Sequence, residues 1–537
     1  MPCSECTIRD LACVFEDSPY FRPPPPPPPR PPPRAASDSM PVSAVTPVAL
    51  NALKSDRSLE KTPRNSVQDE GSSDRLGTNT APGFVSSLAR NLEHQPLAAP
   101  SLTRALGWCC AVRPHSDRPL LLTQGASLHD LVDEREAFRL AEVYINAVPS
   151  VFPIFASAQT VYGLVRDARG SSFSTVPASK KAAAALVCAL GSVFSARACA
   201  NEMALCELAG ALLFHESMNF GPTTDSIVAW ALMCIYKRAT ASPHAASSAN
   251  TMAMSVVETV FMHDQQERHG PWHHLGRSEE EKRTQAVSKI IWFHNRMMGS
   301  ETGKTTFTVR QAALDEYLQA DTGVDKLDQL IRLSYAASVS PTDTTRELEE
   351  RILTLGQLPE NQSSIIDDAF HILSEADVAF ICYRSIRARR AAQTPETTQQ
   401  LIHLGLRASR AAQRLVEEHR RWWQVLSVPF QLLCILLALD TPASLSYVRE
   451  SLDILGAIAQ QLANDSAWEA HSTAHHLVRL CQEAKKRDQD ALAAALRSTV
   501  HGSSGQVDHD WDSNIFLRAD DATDWDKFFD LWLPPAQ

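Results

Sequence analysis

Residues 182–198 read AAAALVCALGSVFSARA, and this stretch decides the fold class. Alanine has the highest helix propensity of any residue, and Leu186, Leu190 and Val193 recur at the i, i+4, i+7 spacing of one helix face. Glycine is scarce in the surrounding region, and β-branched residues alternating with hairpin turns are absent from it. The pattern therefore predicts an amphipathic helix.

The same apolar periodicity continues on both sides of this stretch. Residues of one predicted helix face recur in an earlier and a later segment: Phe138, Ala141, Ile145 and Val148, then Leu445, Val448, Leu452, Leu455 and Ala459. Asp225 is predicted as the N-cap of a helix over 226–237. The apolar run over 425–439 contains Pro429 and is too short to span a bilayer, so it predicts a buried helix. Together these segments predict an all-α domain over 126–500.

Composition divides the rest of the chain into three further segments. Residues 17–125 contain seven consecutive prolines, Pro23 to Pro29, followed by a stretch rich in Ser, Thr, Asn, Asp and Pro. Such a segment cannot bury enough apolar surface to offset its chain entropy, so it predicts a disordered linker that begins as a polyproline II spacer. A ligand for a proline-binding domain is the alternative interpretation of the proline run. The other two segments are 1–16, which carries clustered cysteines, and 501–537, which is acidic and aromatic.

Charge and cysteine usage exclude several classes of protein. The chain has 537 residues and a net charge of −11, so any DNA contact has to come from a local basic segment. Its twelve cysteines are thinly spread apart from three near the N-terminus, which is typical of a reducing compartment and not of a secreted disulfide framework. The sequence shows no signal peptide and no membrane-spanning stretch, so we expect a soluble intracellular protein without a membrane partner. No nucleophile elbow or pair of catalytic carboxylates stands out, so we expect no enzymatic activity.

Cys3, Cys6 and Cys13 give the spacing C-x₂-C-x₆-C. Thiolates at this spacing suit a tetrahedral zinc ion. A tight turn lets the first two sulfurs bind one ion, and the third sulfur binds the same ion from the next element of the chain. Three sulfurs alone do not complete a structural site. Three unrelated thiols near the N-terminus are therefore the alternative interpretation.

The residues around these cysteines resemble a known family. Pro2-Cys3-Ser4-Glu5-Cys6, Arg9, Leu11, Cys13 and Val14-Phe15 are similar to the second half of the zinc binuclear-cluster (Zn₂Cys₆) module of fungal transcription regulators. In that family six cysteines bind two zinc ions, and a basic first half with the same spacing places a short helix in the major groove of DNA. The resemblance implies zinc held by Cys3, Cys6 and Cys13, DNA contact through Arg9, and a nuclear location.

The first half of the family's module is absent from this sequence, and Arg9 is the only basic residue within the motif. Structural zinc sites fold only when their ligands are complete, so we expect zinc and DNA binding only if the missing cysteines exist upstream of Met1. We favour such an extension, because a half-motif that begins almost at Met1 is what a missed upstream exon would leave. The alternative is a DNA-binding-incompetent interaction partner, or a truncated product of such a regulator.

Landmarks in the helical region also resemble the middle homology region of these regulators. They occur in the family's order: Tyr144 before Val151-Phe152-Pro153-Ile154-Phe155, then Ala253, Val256, Val257 and Phe261-Met262-His263-Asp264, then Trp292, Asn295-Arg296 and Gly303-Lys304. The family's usual Phe-Trp pair is replaced by Ser288-Lys289. The resemblance implies an all-α regulatory domain over 126–500. It leaves homodimer formation open, since no sustained heptad follows the cysteine motif.

Residues 501–537 combine acidic with aromatic side chains. The aromatic residues that we assign to this tail are Trp511, Phe516, Trp525, Phe528, Phe529 and Trp532. Acidic residues keep such aromatics solvated, so the segment is typical of an acidic activation segment that folds against a groove of a transcriptional coactivator. The alternative is a final helix over 525–533 that docks Phe528, Phe529 and Trp532 onto the core.

Two further constellations are weaker. Gly299 to Thr305 is similar to a phosphate-binding loop, but Met298 stands where the first glycine of that motif should be, and no βαβ alternation surrounds it. His471 and His475 stand four residues apart on a predicted helix, the spacing that lets two imidazoles share a metal ion. No third ligand can be assigned to them, so we interpret them as surface or half-buried histidines.

Overall fold

The computed structural model of the chain describes residues 80–92, 127–170, 176–240, 243–268, 279–302, 325–356 and 369–501. Within these ranges every regular element is a helix. This observation confirms the predicted all-α class.

The described residues form seventeen helices, which we number in chain order. They are α1 Ala81–Leu92, α2 Leu128–Leu131, α3 Glu134–Ala147, α4 Ala158–Ala168, α5 Ala178–Val193, α6 Glu202–Asn219, α7 Thr224–Thr240, α8 Pro243–Arg268, α9 Glu279–Thr302, α10 Asp325–Ala337, α11 Thr345–Thr354, α12 Ala369–Ala388, α13 Pro395–Glu417, α14 Gln424–Leu439, α15 Pro442–Ser446, α16 Val448–Leu462 and α17 Asp465–His501.

Two helices organise the packing of the others. α5 packs against α3, α4, α6 and α7, and α14 packs against α12, α13, α16 and α17. The two groups are joined through α9 and α10, because α9 packs against α7 and α10, and α10 packs against α12. The helical domain therefore has one central helix in its N-terminal half and another in its C-terminal half.

α5 contains most of the alanine-rich stretch and is buried on nearly every side. It ends at Val193, before the end of that stretch, and the chain then turns towards α6. Gly191 lies where α3 crosses α5, and a Cβ atom at this position would stand 2.0 Å from the Leu140 carbonyl oxygen. Only glycine fits there, so this one residue fixes how closely the two helices approach.

α14 confirms the buried helix predicted over 425–439. It includes Pro429 in its interior, and nearly all of its side chains are buried. Among the helices that the structure describes, none combines the length and the apolar character that crossing a membrane requires.

The start of α7 differs from the prediction. α7 begins at Thr224, and the Thr223 side chain caps it, because the Ser226 N–H donates to Thr223 Oγ1 at 3.2 Å. Asp225, the predicted N-cap, lies in the first turn instead, with its carboxylate 3.6 Å from the Lys180 ammonium. Threonine and aspartate both serve as N-caps, so the sequence offers two starts two residues apart and does not distinguish them.

α1 lies within the segment 17–125, which the sequence predicts to be a disordered linker, and its twelve residues form a helix that packs against α12, α14 and α17. Residues 17–79 and 93–125 lie outside the described residues. The Phe84 ring meets the Tyr383 ring edge-on, with the ring centroids 6.0 Å apart. Val85 and Leu88 are buried on the same face. Burial of these apolar side chains stabilises a short helix inside a segment whose average composition is polar.

Phe152 lies at the centre of an aromatic cluster, which consists of Phe152, Phe293, Phe370, Trp422 and Trp423. It belongs to the turn after α3 and is completely buried. Its ring centroid lies 5.3 Å from that of Phe370, 5.7 Å from that of Trp422 and 6.5 Å from that of Trp423. The turn therefore connects the N-terminal helices with α12 and with the residues that begin α14.

Replacing Phe152 tests this role. We expect Phe152→Ala to lower the free energy of unfolding by about 3–5 kcal/mol, because the substitution removes a fully buried ring and leaves a cavity. Urea unfolding of the purified chain measures the change. Phe214→Ala is the matched control: Phe214 is 61% exposed, so its removal is expected to change stability by no more than about 0.5 kcal/mol. Equal losses in the two variants would show that Phe152 has no special role in packing.

Candidate functional site

The residues predicted to bind zinc and DNA, and the aromatic residues of the acidic tail, lie outside the described residues. They are Cys3, Cys6, Cys13 and Arg9, and Trp511, Phe516, Trp525, Phe528, Phe529 and Trp532. Their roles stay predictions.

The described part of the phosphate-loop segment does not have the geometry of such a loop. Gly299 to Thr302 form the last turn of α9. A phosphate-binding loop joins a strand to the N-terminus of a helix, whereas these residues stand at a helix C-terminus. The structure thus agrees with setting that hypothesis aside.

A buried polar cluster lies where α7, α9, α12 and α14 meet. It consists of Arg238 on α7, His294 and Glu301 on α9, Asp377 and Arg384 on α12, and Gln431 on α14. Each of these six residues is at most 5% exposed. Charged groups are rarely buried, because each loses its hydration and regains that energy only from well-placed partners. The concentration of such groups at one point makes this cluster the candidate functional site.

Arg238 is held from two sides. Its Nη2 atom donates to Glu301 Oε1, which forms an ion pair between α7 and α9. Its guanidinium carbon lies 4.7 Å from the centroid of the Trp423 ring, a distance suited to a cation–π contact. The polar cluster and the aromatic cluster therefore share Trp423.

Gln431 links the two charged residues of α12 to α14. Arg384 Nη1 donates to Gln431 Oε1, and Gln431 Nε2 donates to Asp377 Oδ1 at 3.3 Å. An amide side chain donates and accepts at once. Gln431 can thus form hydrogen bonds with both Asp377 and Arg384, which stand two turns apart on α12.

Glu301 and Asp377 form a buried pair of carboxyl groups. Burial raises the pKa of Glu301 to about 8; the charge of Arg238 opposes this shift and Asp377 adds to it. Burial also raises the pKa of Asp377, although Arg384 and a hydrogen bond with Glu301 act in the opposite direction. Burial of the two carboxyl groups therefore favours a proton on this pair at neutral pH.

His294 stands between the polar and the aromatic clusters. Its ring centroid is 5.2 Å from that of Phe152, 5.6 Å from that of Phe293 and 5.1 Å from that of Trp423. Burial, and secondarily the charge of Arg238, lowers the pKa of His294 well below its usual value. The imidazole is therefore neutral, so it can both donate and accept a hydrogen bond.

Several polar atoms of the cluster have unused hydrogen-bonding capacity. Among the described residues, Arg238 Nε, Arg238 Nη1 and both ring nitrogens of His294 have no hydrogen-bond partner. A buried donor or acceptor without a partner costs about 1–3 kcal/mol, so these atoms are costly to bury. The cluster can hold a proton between two carboxyls in a surrounding of low dielectric constant.

Sequence reasoning did not find this cluster, although the sequence contains a signal for it. His294 and Glu301 stand seven residues apart on α9, and Asp377 and Arg384 stand seven residues apart on α12. Two helical turns place such residues on the same face. Polar pairs at that spacing beside apolar runs of the same helix, such as 290–293 on α9 and 378–383 on α12, are the pattern that would have indicated a buried polar site.

The raised pKa of Glu301 predicts a pH dependence of stability. Its folded-state pKa of about 8 lies above the unfolded value of about 4.3, so the folded protein binds the extra proton between these two values. The contribution of Glu301 to the free energy of unfolding is therefore lost progressively as pH rises from about 5 to 8. We expect Glu301→Gln, which cannot ionise, to flatten this decline.

Urea unfolding at pH 5, 6, 7 and 8 measures the effect, with the wild-type chain and Glu350→Gln as comparisons. Glu350 is exposed on α11, so its substitution is expected to leave the wild-type pH profile unchanged. Parallel profiles for the wild type and Glu301→Gln would contradict the raised pKa of Glu301.

Comparison with known proteins found relatives by sequence only. No family model matches the chain, and no solved structure matches it. The chain is 27% identical over 429 residues to Protein RDR1 of Saccharomyces cerevisiae, a match that covers 77% of this chain and 74% of that protein. It is 25% identical over 555 residues to Transcription factor kojR of Aspergillus flavus, covering 96% of this chain and 90% of that protein. Transcription factor kojR of Aspergillus oryzae matches at the same identity and coverage.

Proposed function

We propose that this chain is a fungal transcription regulator that is controlled by its all-α domain, and that it binds DNA through a zinc-holding N-terminal segment when further ligands complete the site of Cys3, Cys6 and Cys13. The similarity to Transcription factor kojR carries this proposal, because it extends over 96% of the chain and 90% of that protein. A match over nearly the whole length favours a shared arrangement of segments over a single shared domain.

The cysteines of the helical domain support the assignment of zinc to the N-terminal segment. Those that the structure describes form no disulfide bond with one another and are buried: Cys188, Cys199, Cys206, Cys234, Cys382, Cys434 and Cys481. Burial raises the pKa of Cys188 and of Cys382 to about 12, so these thiols stay protonated and are poor metal ligands. The spacing of Cys3, Cys6 and Cys13 makes them the sulfurs proposed to hold zinc, which would fix the fold of their short segment.

The remaining parts of the proposal follow from the same assignment. Arg9 would contact a DNA phosphate, since neutralising phosphates supplies most of the affinity of such segments. The acidic tail over 501–537 would bind transcriptional coactivators. The protein would act in the nucleus, with DNA and coactivators as its partners.

Chromatin binding tests the DNA-binding part. We expect the tagged full-length chain to be enriched at specific loci in its host, and the double variant Cys3→Ala/Cys6→Ala to lose most of that enrichment, because the zinc-dependent fold is lost. Chromatin immunoprecipitation followed by sequencing measures both. Cys481→Ala, which removes a buried thiol of α17, is the matched control and should behave as wild type. A wild-type chain without enrichment at any locus would instead identify a partner protein that does not bind DNA itself.

A reporter assay tests the acidic tail separately. We expect residues 501–537 fused to a heterologous DNA-binding domain to activate transcription of a reporter gene. Replacing Trp525, Phe528 and Trp532 together by alanine should abolish activation, because these rings would fill the coactivator groove. Replacing three acidic residues of the tail by the corresponding amides, with the rings kept, separates the contribution of charge. An inert wild-type fusion would disprove the activation role.

A further inference from the structure

The side chains of His471 and His475 face each other on the surface of α17. They stand one helical turn apart, and their Nε2 atoms are 3.2 Å from one another. The two rings are nearly perpendicular, at 78°, and their centroids are 4.5 Å apart. His475 is exposed and His471 is half-buried, so solvent reaches the space between the two nitrogens.

The neighbouring helix determines where the His471 ring lies. α16 packs against α17, and Gly456 of α16 lies directly beside the imidazole. A Cβ atom at Gly456 would stand 3.1 Å from His471 Nε2, which is closer than a side chain there would tolerate without moving the ring. On α17 itself, the Trp468 ring meets the His471 ring edge-on at 5.9 Å between centroids. The ring is therefore positioned by tertiary contacts in addition to its own helix.

The separation of the two nitrogens matches that of two ligands on one metal ion. Imidazole nitrogens bind Zn²⁺ at about 2.0–2.1 Å, and two nitrogens 3.2 Å apart at that bond length subtend an angle of roughly 100° at the metal. This angle lies between the right angle of octahedral sites and the tetrahedral angle. A proton shared by the two rings fits the same space, so metal and proton compete for it.

We propose that His471 and His475 form a two-histidine chelate for a divalent transition-metal ion. Imidazole selects Cu²⁺, Ni²⁺ and Zn²⁺, whereas Mg²⁺ and Ca²⁺ prefer oxygen ligands. Among the described residues there is no group of three or more metal-ligating side chains. Water therefore completes the coordination, and the site exchanges its ion readily with solvent.

Calorimetric titration with Ni²⁺ tests the chelate directly. The protein is the full-length chain purified without a polyhistidine tag, as wild type, His471→Ala, His475→Ala and the double variant. We expect the double variant to bind one Ni²⁺ ion fewer than wild type. Each single variant should bind that ion at least about tenfold more weakly, since losing a mere supporting partner of a metal ligand already costs about 10–100-fold. Cys3, Cys6 and Cys13 are present in every variant, so the outcome is independent of the proposed zinc segment.

Two controls make the result specific to the pair. His476→Ala removes an exposed histidine beside His475 and should leave the titration unchanged. Gly456→Ala keeps both ligands but moves the His471 ring, so it should weaken Ni²⁺ binding without abolishing it. Equal stoichiometry and affinity in wild type and the double variant would overturn the proposal. Equal losses in His476→Ala would likewise overturn it, because binding would then follow histidine content and not geometry.

Fluorescence gives a second readout of the same site. Cu²⁺ quenches the emission of a nearby tryptophan, and Trp468 is next to His471. We expect Cu²⁺ to quench part of the wild-type emission, and this part should vanish in Trp468→Phe and in the double histidine variant. Identical quenching in all three proteins would place the ion elsewhere and contradict the proposal.

Discussion

Burial of the Phe152 side chain is the constraint on which the rest of the helical domain depends. The turn that carries it packs against Phe370 of α12 and against Trp422 and Trp423 at the start of α14. Separating the two halves of the domain would expose all of these rings at once, and each buried aromatic ring removes a large apolar area from water. Trp423 also lies under the Arg238 guanidinium, so the position of the polar cluster depends on the same packing.

The hydrogen bonds and ion pair of the polar cluster are directional, so they specify the relative positions of the helices more closely than apolar packing alone does. An apolar interface between α7, α9, α12 and α14 would tolerate small shifts of one helix along another. Arg238 pairs with Glu301, and Gln431 pairs with both Asp377 and Arg384. These contacts form in one relative position of the four helices. Such clusters contribute little net stability, because desolvation offsets much of the attraction. We infer that this cluster specifies the arrangement of the four helices and makes that arrangement sensitive to protonation.

Local patterns predicted the fold well and the site poorly, and the reason is physical. The stretches 182–198 and 425–439 predict their helices correctly, because helix propensity and apolar periodicity depend on residues within a few positions of one another. The cluster requires residues as distant as Arg238 and Gln431 to meet, and no local rule states which helix faces will touch. α1 was missed for a related reason: average composition over 17–125 obscured a short apolar face that only the C-terminal helices stabilise.

The histidine pair shows the same division between local and tertiary information. The i, i+4 spacing of His471 and His475 is visible in the sequence and is necessary for a chelate, yet many such pairs point their rings apart. Whether the two nitrogens converge is decided by Gly456, which belongs to a different helix. In the unfolded chain that restraint is gone, so a metal ion would bind the folded form preferentially and stabilise α17 in its folded position beside α16. α14 packs against both of these helices and also carries Gln431, so one helix contacts both the helix of the histidine pair and the buried cluster.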